Sequence, residues 1–171
     1  MSNPSQLSNG VSVSEVDQLA VRLQELGLKS PTSICIVPSN YASAITFGDL
    51  FVPPSAADLR PLFREAGVSL ETISPDGEGF LYRDDRDSTL IMPVIFFGMS
   101  YWSGNLDAIT VALDVITNYV TDFFRGKAGN KNVRCSVLVE TDTKKTVRRI
   151  EYDGPPESFD KLVDAIKIAV K

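Results

Sequence analysis

The longest run of apolar positions falls in residues 90–125, near the middle of the chain. Residues 90–97 are almost continuously apolar, as in a strand covered on both faces. A turn at residues 98–104 follows, and residues 106–125 predict the longest helix, with Asn105 as its N-cap. Apolar side chains occupy well over half of that helix's circumference, whereas an ordinary surface helix is apolar over a band of about 100°. The pattern therefore predicts a helix buried on two sides, either by the N-terminal half of this chain or by another chain.

Shorter patterns on either side of this segment predict the other elements. Before it they are a helix from Ser14 to a stop at Gly27, a central strand at 33–38, a weaker strand at 45–52, a helix at 55–67 with Pro61 in its first turn, and a hairpin of residues 68–74 and 80–83 around Asp76 and Gly77. After it they are a hairpin of residues 133–141 and 146–152 and a helix that starts at Ser158. Pro93 cannot donate a ladder hydrogen bond, so it predicts a bulge or an unpaired edge.

This order of elements predicts an α+β fold, with a mixed or antiparallel sheet packed with helices in one domain. The length of 171 residues is sufficient for one well-formed core. Residues 1–13 are polar and predict a flexible N-terminus, followed by a single α+β domain at residues 14–171. Residues 90–171 form a β-α-β-β-α pattern that predicts a compact unit within that domain.

Composition excludes several chemistries. The chain contains no His, which removes Ser-His-Asp and Cys-His catalysis and every histidine metal ligand. Its two cysteines, Cys35 and Cys135, lie in apolar runs without a CxxC motif, so we expect them to be buried and reduced. Familiar catalytic and phosphate-binding motifs are also absent, and the sequence predicts no catalytic residue, metal site or cofactor. A pair of carboxylates brought together by the fold stays open as a catalytic alternative.

The turn at residues 100–105 is the first candidate ligand site. It joins a strand to the start of a helix, and helix N-termini attract anions. Its candidate binding residues are Ser103, Gly104 and Asn105. Asp107 already places a carboxylate in the first turn, which disfavours a second anion there.

A second candidate is the acidic run at residues 84–87. Asp84, Asp85 and Asp87 could supply oxygen ligands to Mg²⁺ or Ca²⁺. The spacing differs from that of an EF-hand loop, and such a run is more typical of a solvated loop.

Basic residues are concentrated in the segment from Arg125 to Arg149. It holds eight basic and two acidic residues, whereas the rest of the chain holds nine basic and 20 acidic residues. Strand alternation separates these side chains, which predicts one pair of lysines in the loop before the hairpin and another at its turn. The candidate partner- or anion-binding residues are Tyr101, Trp102, Lys127, Lys131, Lys144 and Lys145. The scarcity of interleaved aromatic residues disfavours nucleic acid, so a protein partner or self-association is expected.

Targeting signals and membrane segments are not evident in the sequence. The N-terminal residues lack the basic and apolar regions of a signal peptide. The apolar run at residues 90–102 is too short to span a bilayer, and the following helix carries three aspartates. We therefore expect a cytoplasmic protein that does not enter a membrane.

Residues 90–171 combine an apolar strand, a Gly104-Asn105 turn into a long helix, a basic hairpin and a closing amphipathic helix. In this they resemble the effector-associated constant component domains of bacterial conflict systems, although the hairpin turn at residues 142–145 departs from an Asp-Gly turn. The resemblance implies an adaptor that links a sensor or effector to a shared component, without catalytic residues. The resulting hypothesis is a non-enzymatic protein-interaction or adaptor module of a bacterial defence system, acting through oligomer or partner contacts. The alternative is a small ligand-binding or hydrolytic domain that uses the turn at 100–105 or the loop at 84–87.

Overall fold

The computed structural model describes residues 5–7, 10–75, 77, 79–83, 89–103, 105–141 and 146–170, with the backbone alone at 5–7. The strands in these ranges are β1 Ser5–Leu7, β2 Val11–Val16, β3 Ile34–Val37, β4 Phe51–Val52, β5 Leu81–Tyr82, β6 Thr89–Ile91, β7 Val94–Phe97, β8 Asn132–Glu140 and β9 Val147–Gly154. The helices are α1 Leu19–Glu25, α2 Ser55–Glu65, α3 Met99–Trp102, α4 Leu106–Phe124 and α5 Asp160–Ala169. Each of these helices falls short of the length or apolarity needed to cross a bilayer.

The main sheet confirms the predicted α+β fold. Its strands lie in the order β1-β2-β9-β8-β7-β3, and β6 also pairs with β8. Both β6 and β7 run parallel to β8, whereas the other neighbours are antiparallel. Strands β4 and β5 form a separate parallel pair. The sheet is therefore mixed, as the element order predicts.

Pro93 divides the apolar run at residues 90–97 into two strands. Ile91 lies opposite Arg134, and Ile95 lies opposite Val137. The segment from Ile91 to Ile95 is therefore one residue longer than the segment of β8 that it faces. The N–H of Met92 still donates to the carbonyl oxygen of Arg134 at 2.9 Å. Because proline has no N–H to continue the ladder, the extra residue is accommodated here. The predicted bulge is confirmed.

Side-chain alternation along β8 and β9 gives the sheet two unlike faces. On the covered face, residues such as Val137 and Ile150 pack in one core with apolar side chains of α4 and α5. On the opposite face, Leu138 and Val147 pack in a second core with Leu23 of α1. Burying one such side chain contributes about 1.5–3 kcal/mol. Both faces thus help to stabilise the sheet, but α1 covers only part of the face on which it packs.

Helix α4 is covered on two sides by its own chain. The side chains buried in the core are Ile109, Ala112, Leu113, Ile116, Val120 and Phe124. Helix α2 packs beside it, and the hydroxyl of Tyr119 donates to Oδ2 of Asp58 at 2.8 Å. The large apolar side chains of α4 that stay exposed are those of Leu106 and Val111. Of the two predicted arrangements, the N-terminal half of this chain supplies the second cover.

The predicted start of the first helix is wrong. Ser14 lies in β2, which pairs with β9 along its full length, and α1 begins only at Leu19. Valine and serine alternate from Val11 to Ser14, which favours a half-buried strand over a helix. Gln18, before α1, adopts a left-handed conformation with φ of 53°. Strand β2 therefore crosses the predicted boundary at residue 13.

The region between β3 and β6 also differs from the prediction. Strand β3 lies at one end of the sheet, although its side chains are buried on both faces. The weaker strand predicted at 45–52 instead contains a 3-10 turn, Phe47–Asp49, and only its last two residues form a strand, β4. The hairpin of residues 68–74 and 80–83 does not form, because β5 pairs with β4 and Glu71 makes a single bridge with Cys35. Asp76, in its predicted turn, lies outside the described residues.

Two helical details were also mispredicted. Pro61 lies inside α2 and not in its first turn, because the helix starts at Ser55. The predicted turn at residues 98–104 contains the short helix α3.

Candidate functional site

The sheet face that α1 leaves uncovered forms a cavity of about 600 Å³. We call it the polar groove. Its floor consists of Arg134, Ser136, Arg149, Glu151 and Asp153, all from β8 and β9. Its walls and one end include Ser39, Phe51, Pro53, Asp58, Arg83, Ile91, Tyr119 and Phe123. A volume of this size lies within the range of about 300–1,000 Å³ that is usual for small-molecule sites.

Strand register explains why the floor is polar. Ser136 lies opposite Glu151, and Arg134 lies opposite Asp153, so all four side chains share the face away from α4. The next pair on that face joins Leu138 to Arg149, where the second core begins. The polar pairs therefore occupy the part of the face that no helix covers.

Hydrogen bonds and ion pairs organise this floor. Arg149 NH2 contacts Oε1 of Glu151 at 2.5 Å, and the hydroxyl of Ser136 donates to the same oxygen at 3.1 Å. Nε of Arg134 lies 3.2 Å from Oδ2 of Asp153. Each carboxylate is thus held by a guanidinium, which fixes the positions of the charges.

Arg149 lies at the inner limit of the groove. Its side chain is 32% exposed, but its Nε atom is buried and has no hydrogen-bond partner in the part of the chain that the structure describes. Leaving a buried donor without a partner costs free energy. Arg149 also lines a second cavity, of about 510 Å³, beside α1. This residue therefore separates two cavities on one sheet face.

Tyr41 lies beside Arg149 and lines the second cavity. Burial raises the pKa of its hydroxyl, the Arg149 guanidinium partly opposes this, and Glu151 adds to the increase. The phenol therefore stays protonated at neutral pH, and it can donate a hydrogen bond but cannot act as a base.

The groove also contains two charged groups outside the floor. The guanidinium of Arg83 lies over the ring of Phe51, 5.1 Å from its centroid. Asp58 also lines the groove and accepts the hydrogen bond from Tyr119. Burial, followed by the hydrogen bond and the negative charge of Asp58, raises the pKa of Tyr119 well above its usual range. Tyr119 is therefore a neutral donor that orients the Asp58 carboxylate.

The two thiols are not activated. Cys135 borders the cavity, but its side chain lies in the core on the covered face, and burial raises the pKa of this thiol to about 12. Burial, with a smaller contribution from the charge of Glu71, also raises the pKa of Cys35. Since the thiolate is the reactive form, neither cysteine is a nucleophile at neutral pH. Both are buried and free, as the sequence predicts.

Metal binding finds little support within the described ranges. There, no three side chains of the types Cys, Asp and Glu come together as a candidate metal site. The acidic run of Asp84, Asp85 and Asp87 lies outside the described residues.

The predicted ligand site at residues 100–105 does not coincide with the groove. Ser103 and Asn105 are exposed, and neither lines either cavity described above. Asn105 occupies the N-cap position of α4, but its side chain makes no capping hydrogen bond. Gly104 lies outside the described residues. A ligand at this turn stays a prediction.

The predicted aromatic partner residues contact their own chain. Trp102 is 9% exposed, and its Nε1 donates to the carbonyl oxygen of Glu140 at 3.2 Å. The hydroxyl of Tyr101 donates to the carbonyl oxygen of Ala108 at 2.9 Å. Their hydrogen bonds therefore anchor α3 to β8 and α4.

The two predicted basic residues that the structure describes, Lys127 and Lys131, do not line the groove. Nζ of Lys127 lies 3.5 Å from the centroid of the Phe123 ring, and Lys131 directly precedes β8. Lys144 and Lys145 lie outside the described residues, between the two hairpin strands. The placement of the two lysine pairs at opposite ends of the hairpin and their role in binding stay predictions.

Sequence patterns alone did not identify the groove. The alternation in β8 placed Arg134 and Ser136 on one side, but the choice of facing residues on β9 required the register. The walls come from several separate segments, and of the named wall residues only Arg83 belongs to the predicted hairpin of residues 68–74 and 80–83. One feature of the sequence does indicate this site: Arg134 and Ser136 alternate with the valines of β8, which predicts a polar face opposite the valine-rich face.

The chain matches no model of a known protein family, no curated protein and no solved structure. The resemblance of residues 90–171 to adaptor domains therefore stays a hypothesis.

Proposed function

We propose that this protein is a non-enzymatic binding module and that the polar groove is its binding site. The observation that carries this proposal is a polar floor, fixed by ion pairs, inside a cavity large enough for a small molecule or a short chain segment. A sheet face without cover is usually a flat solvated surface, but here residues of other elements border the polar side chains and form a concave site.

The state of the groove's side chains favours binding over catalysis. A catalytic nucleophile or base needs a pKa near the working pH. The phenol of Tyr119 in this groove and the thiol of Cys135, which lies in the core beneath it, have raised pKa values, so both are protonated. The carboxylates of Glu151 and Asp153 are already held by arginines. Such groups are suited to hold a polar ligand in one orientation.

A panel of small compounds tests this proposal. The ¹⁵N-labelled full chain would be titrated separately with amino acids, short peptides, carboxylic acids, sugars and nucleotides. We expect at least one class to shift the amide signals of groove residues such as Ile91 and Ser136, and to be recovered unchanged. Failure of every class to shift these signals, or chemical conversion of the bound compound, would overturn the proposal.

A tryptophan in the groove supplies the matched control. Ser39 lines the cavity, whereas Ser43 lies in the same loop, is exposed and does not line it. Ser39→Trp should abolish the binding detected in the panel, and Ser43→Trp should leave it unchanged. Equal effects of the two variants would place the binding elsewhere.

This proposal retains the module class of the sequence-based hypothesis but moves its binding site. An adaptor binds another molecule without converting it, and the groove provides a place for such contact. We include a role in bacterial defence in the proposal only on the sequence resemblance. Capture of a component encoded beside this protein in a pull-down, lost in Ser39→Trp, would support that role.

A further inference from the structure

We propose that the polar groove binds a short zwitterionic peptide, with its ammonium group at Asp58 and its carboxylate at Arg83. This inference rests on the groove being the binding site proposed above, and it adds the chemical class of the ligand.

The distribution of charge in the groove is the first argument. Among the residues that the structure describes, three arginines and three carboxylates line it. Four of these groups form the ion pairs Arg134–Asp153 and Arg149–Glu151. The remaining two, Asp58 and Arg83, are not joined to each other by an ion pair within 4.0 Å. A ligand that complements them carries one positive and one negative group.

Arg83 is placed to receive a carboxylate. Its backbone N–H donates to the carbonyl oxygen of Val52 at 3.0 Å, which fixes the residue beside β4. Its guanidinium lies over the ring of Phe51. Stacking occupies the flat side of a guanidinium and leaves the N–H groups at its edge for bidentate contact with a carboxylate.

Asp58 is placed to receive an ammonium group. It lies in the first turn of α2, and one of its oxygens accepts the hydroxyl of Tyr119. An ionised carboxylate has about four acceptor positions, so this hydrogen bond leaves room for further donors. Because the Tyr119 phenol is neutral, its hydrogen bond orients the Asp58 carboxylate without neutralising its negative charge.

The apolar part of the lining favours a ligand with an apolar side chain. Phe51, Pro53, Ile91 and Phe123 line the same cavity as Asp58 and Arg83. A short peptide carries an ammonium group at one end, a carboxylate at the other and side chains between them, so a peptide with an apolar centre complements both charges and this apolar lining.

Isothermal titration of the full chain with three forms of the tripeptide Ala-Phe-Ala tests the inference. One form has free ends, the second is acetylated at the N-terminus, and the third is amidated at the C-terminus. We expect the free form to bind at least about tenfold more tightly than either capped form, because each cap removes one charge-assisted contact.

Two charge-removing variants assign the ends of the peptide. Asp58→Asn should abolish the difference between the free and acetylated forms, and Arg83→Gln should abolish the difference between the free and amidated forms. Asp164→Asn and Arg64→Gln are the matched controls, because these side chains are exposed and do not line the groove. Both controls should retain the tenfold preferences.

The outcomes separate this inference from the proposed function. Equal binding of all three forms, or the same effect from the groove variants and the controls, would overturn the zwitterionic ligand. If another class in the panel then shifts the groove amides, the groove still stands as a binding site. If no form binds and the panel also gives no shift, both proposals fail.

Discussion

The two faces of the sheet are formed by the same strands but have different roles. On β8, Val133, Cys135, Val137 and Val139 face α4 and α5, and all four are buried. The residues between them, Arg134 and Ser136, lie on the groove floor. The two faces differ in composition because helices cover them to different extents. Helices α4 and α5 cover the first face, whereas α1 covers only one end of the second.

This difference shows how a small α+β protein can combine stability with a polar site. The covered face supplies hydrophobic burial, which requires apolar side chains at every second residue. The partly covered face can carry charges because its pairs retain some contact with water. We therefore expect substitutions on the two faces to affect different properties.

The largest effect is expected on the covered face. Ile150 is 1% exposed and lies next to Arg149 on β9. Ile150→Ala should lower the free energy of unfolding by about 2–5 kcal/mol, because it removes buried methyl groups and leaves a cavity. Urea denaturation measures this change. Arg148→Ala, an exposed neighbour, is the control and should change stability by at most about 0.5 kcal/mol; a larger loss in the control would contradict the comparison.

A smaller effect is expected for the groove floor. Glu151→Ala removes the acceptor shared by Ser136 and Arg149, and should lower the free energy of unfolding by about 1 kcal/mol. Glu151→Gln retains an acceptor oxygen and should recover part of this loss in the same denaturation assay. A loss equal to that of Ile150→Ala would show that the floor belongs to the structural core.

Alkaline pH should affect the groove through Tyr119. Its folded pKa is raised above the ordinary tyrosine value of about 10, so its contribution is complete below pH 10 and is lost as the pH rises further. Tyr119→Phe should therefore weaken the loss of stability above pH 10, measured by denaturation at several pH values. The exposed Tyr82→Phe serves as the control. The same slope in Tyr119→Phe and the unsubstituted chain would contradict this assignment.

The smallest effect is expected for the outer ion pair. Arg134 and Asp153 are each 57% exposed, so water screens their attraction. A double-mutant cycle with Arg134→Ala and Asp153→Ala should give a coupling energy of about 0.2–1 kcal/mol that falls with added salt. A larger coupling that is insensitive to salt would indicate that this end of the groove is closed to solvent.

Long periodic elements were predictable from the sequence because one periodicity dominated each of them. Helix α4, strands β8 and β9 and the interruption at Pro93 all have strong local signals. The Val-Ser alternation from Val11 to Ser14 favours a strand, but Ser14 and Asp17 stand three residues apart and resemble the N-terminus of a helix. The pairing of β5 with β4 depends on residues distant in sequence and leaves no local signal.

The groove was less predictable because it also depends on contacts between residues that are distant in sequence. Alternation predicts that Arg148 and Arg149 point to opposite faces of β9, but it does not predict which side chains of β8 share a face with Arg149. Which charges meet depends on the register between β8 and β9 and on loops that fold over one end of the sheet. Composition alone gives Arg134 and Lys131 equal weight, although only Arg134 lines the cavity.

The extra residue at Pro93 shifts the alternation of side chains between the two faces of the sheet by one position. Leu90 and Ile95 both face the covered core, although residues separated by an odd number would point to opposite sides of an uninterrupted strand. Because of this shift, Ile91 faces the groove while Ile95 remains in the core. Deletion of one residue here would rotate one half-strand by 180°, placing a groove side chain in the core or a core side chain in the groove. The extra residue at this single position thus decides which side chains of β6 and β7 face the groove and which face the hydrophobic core.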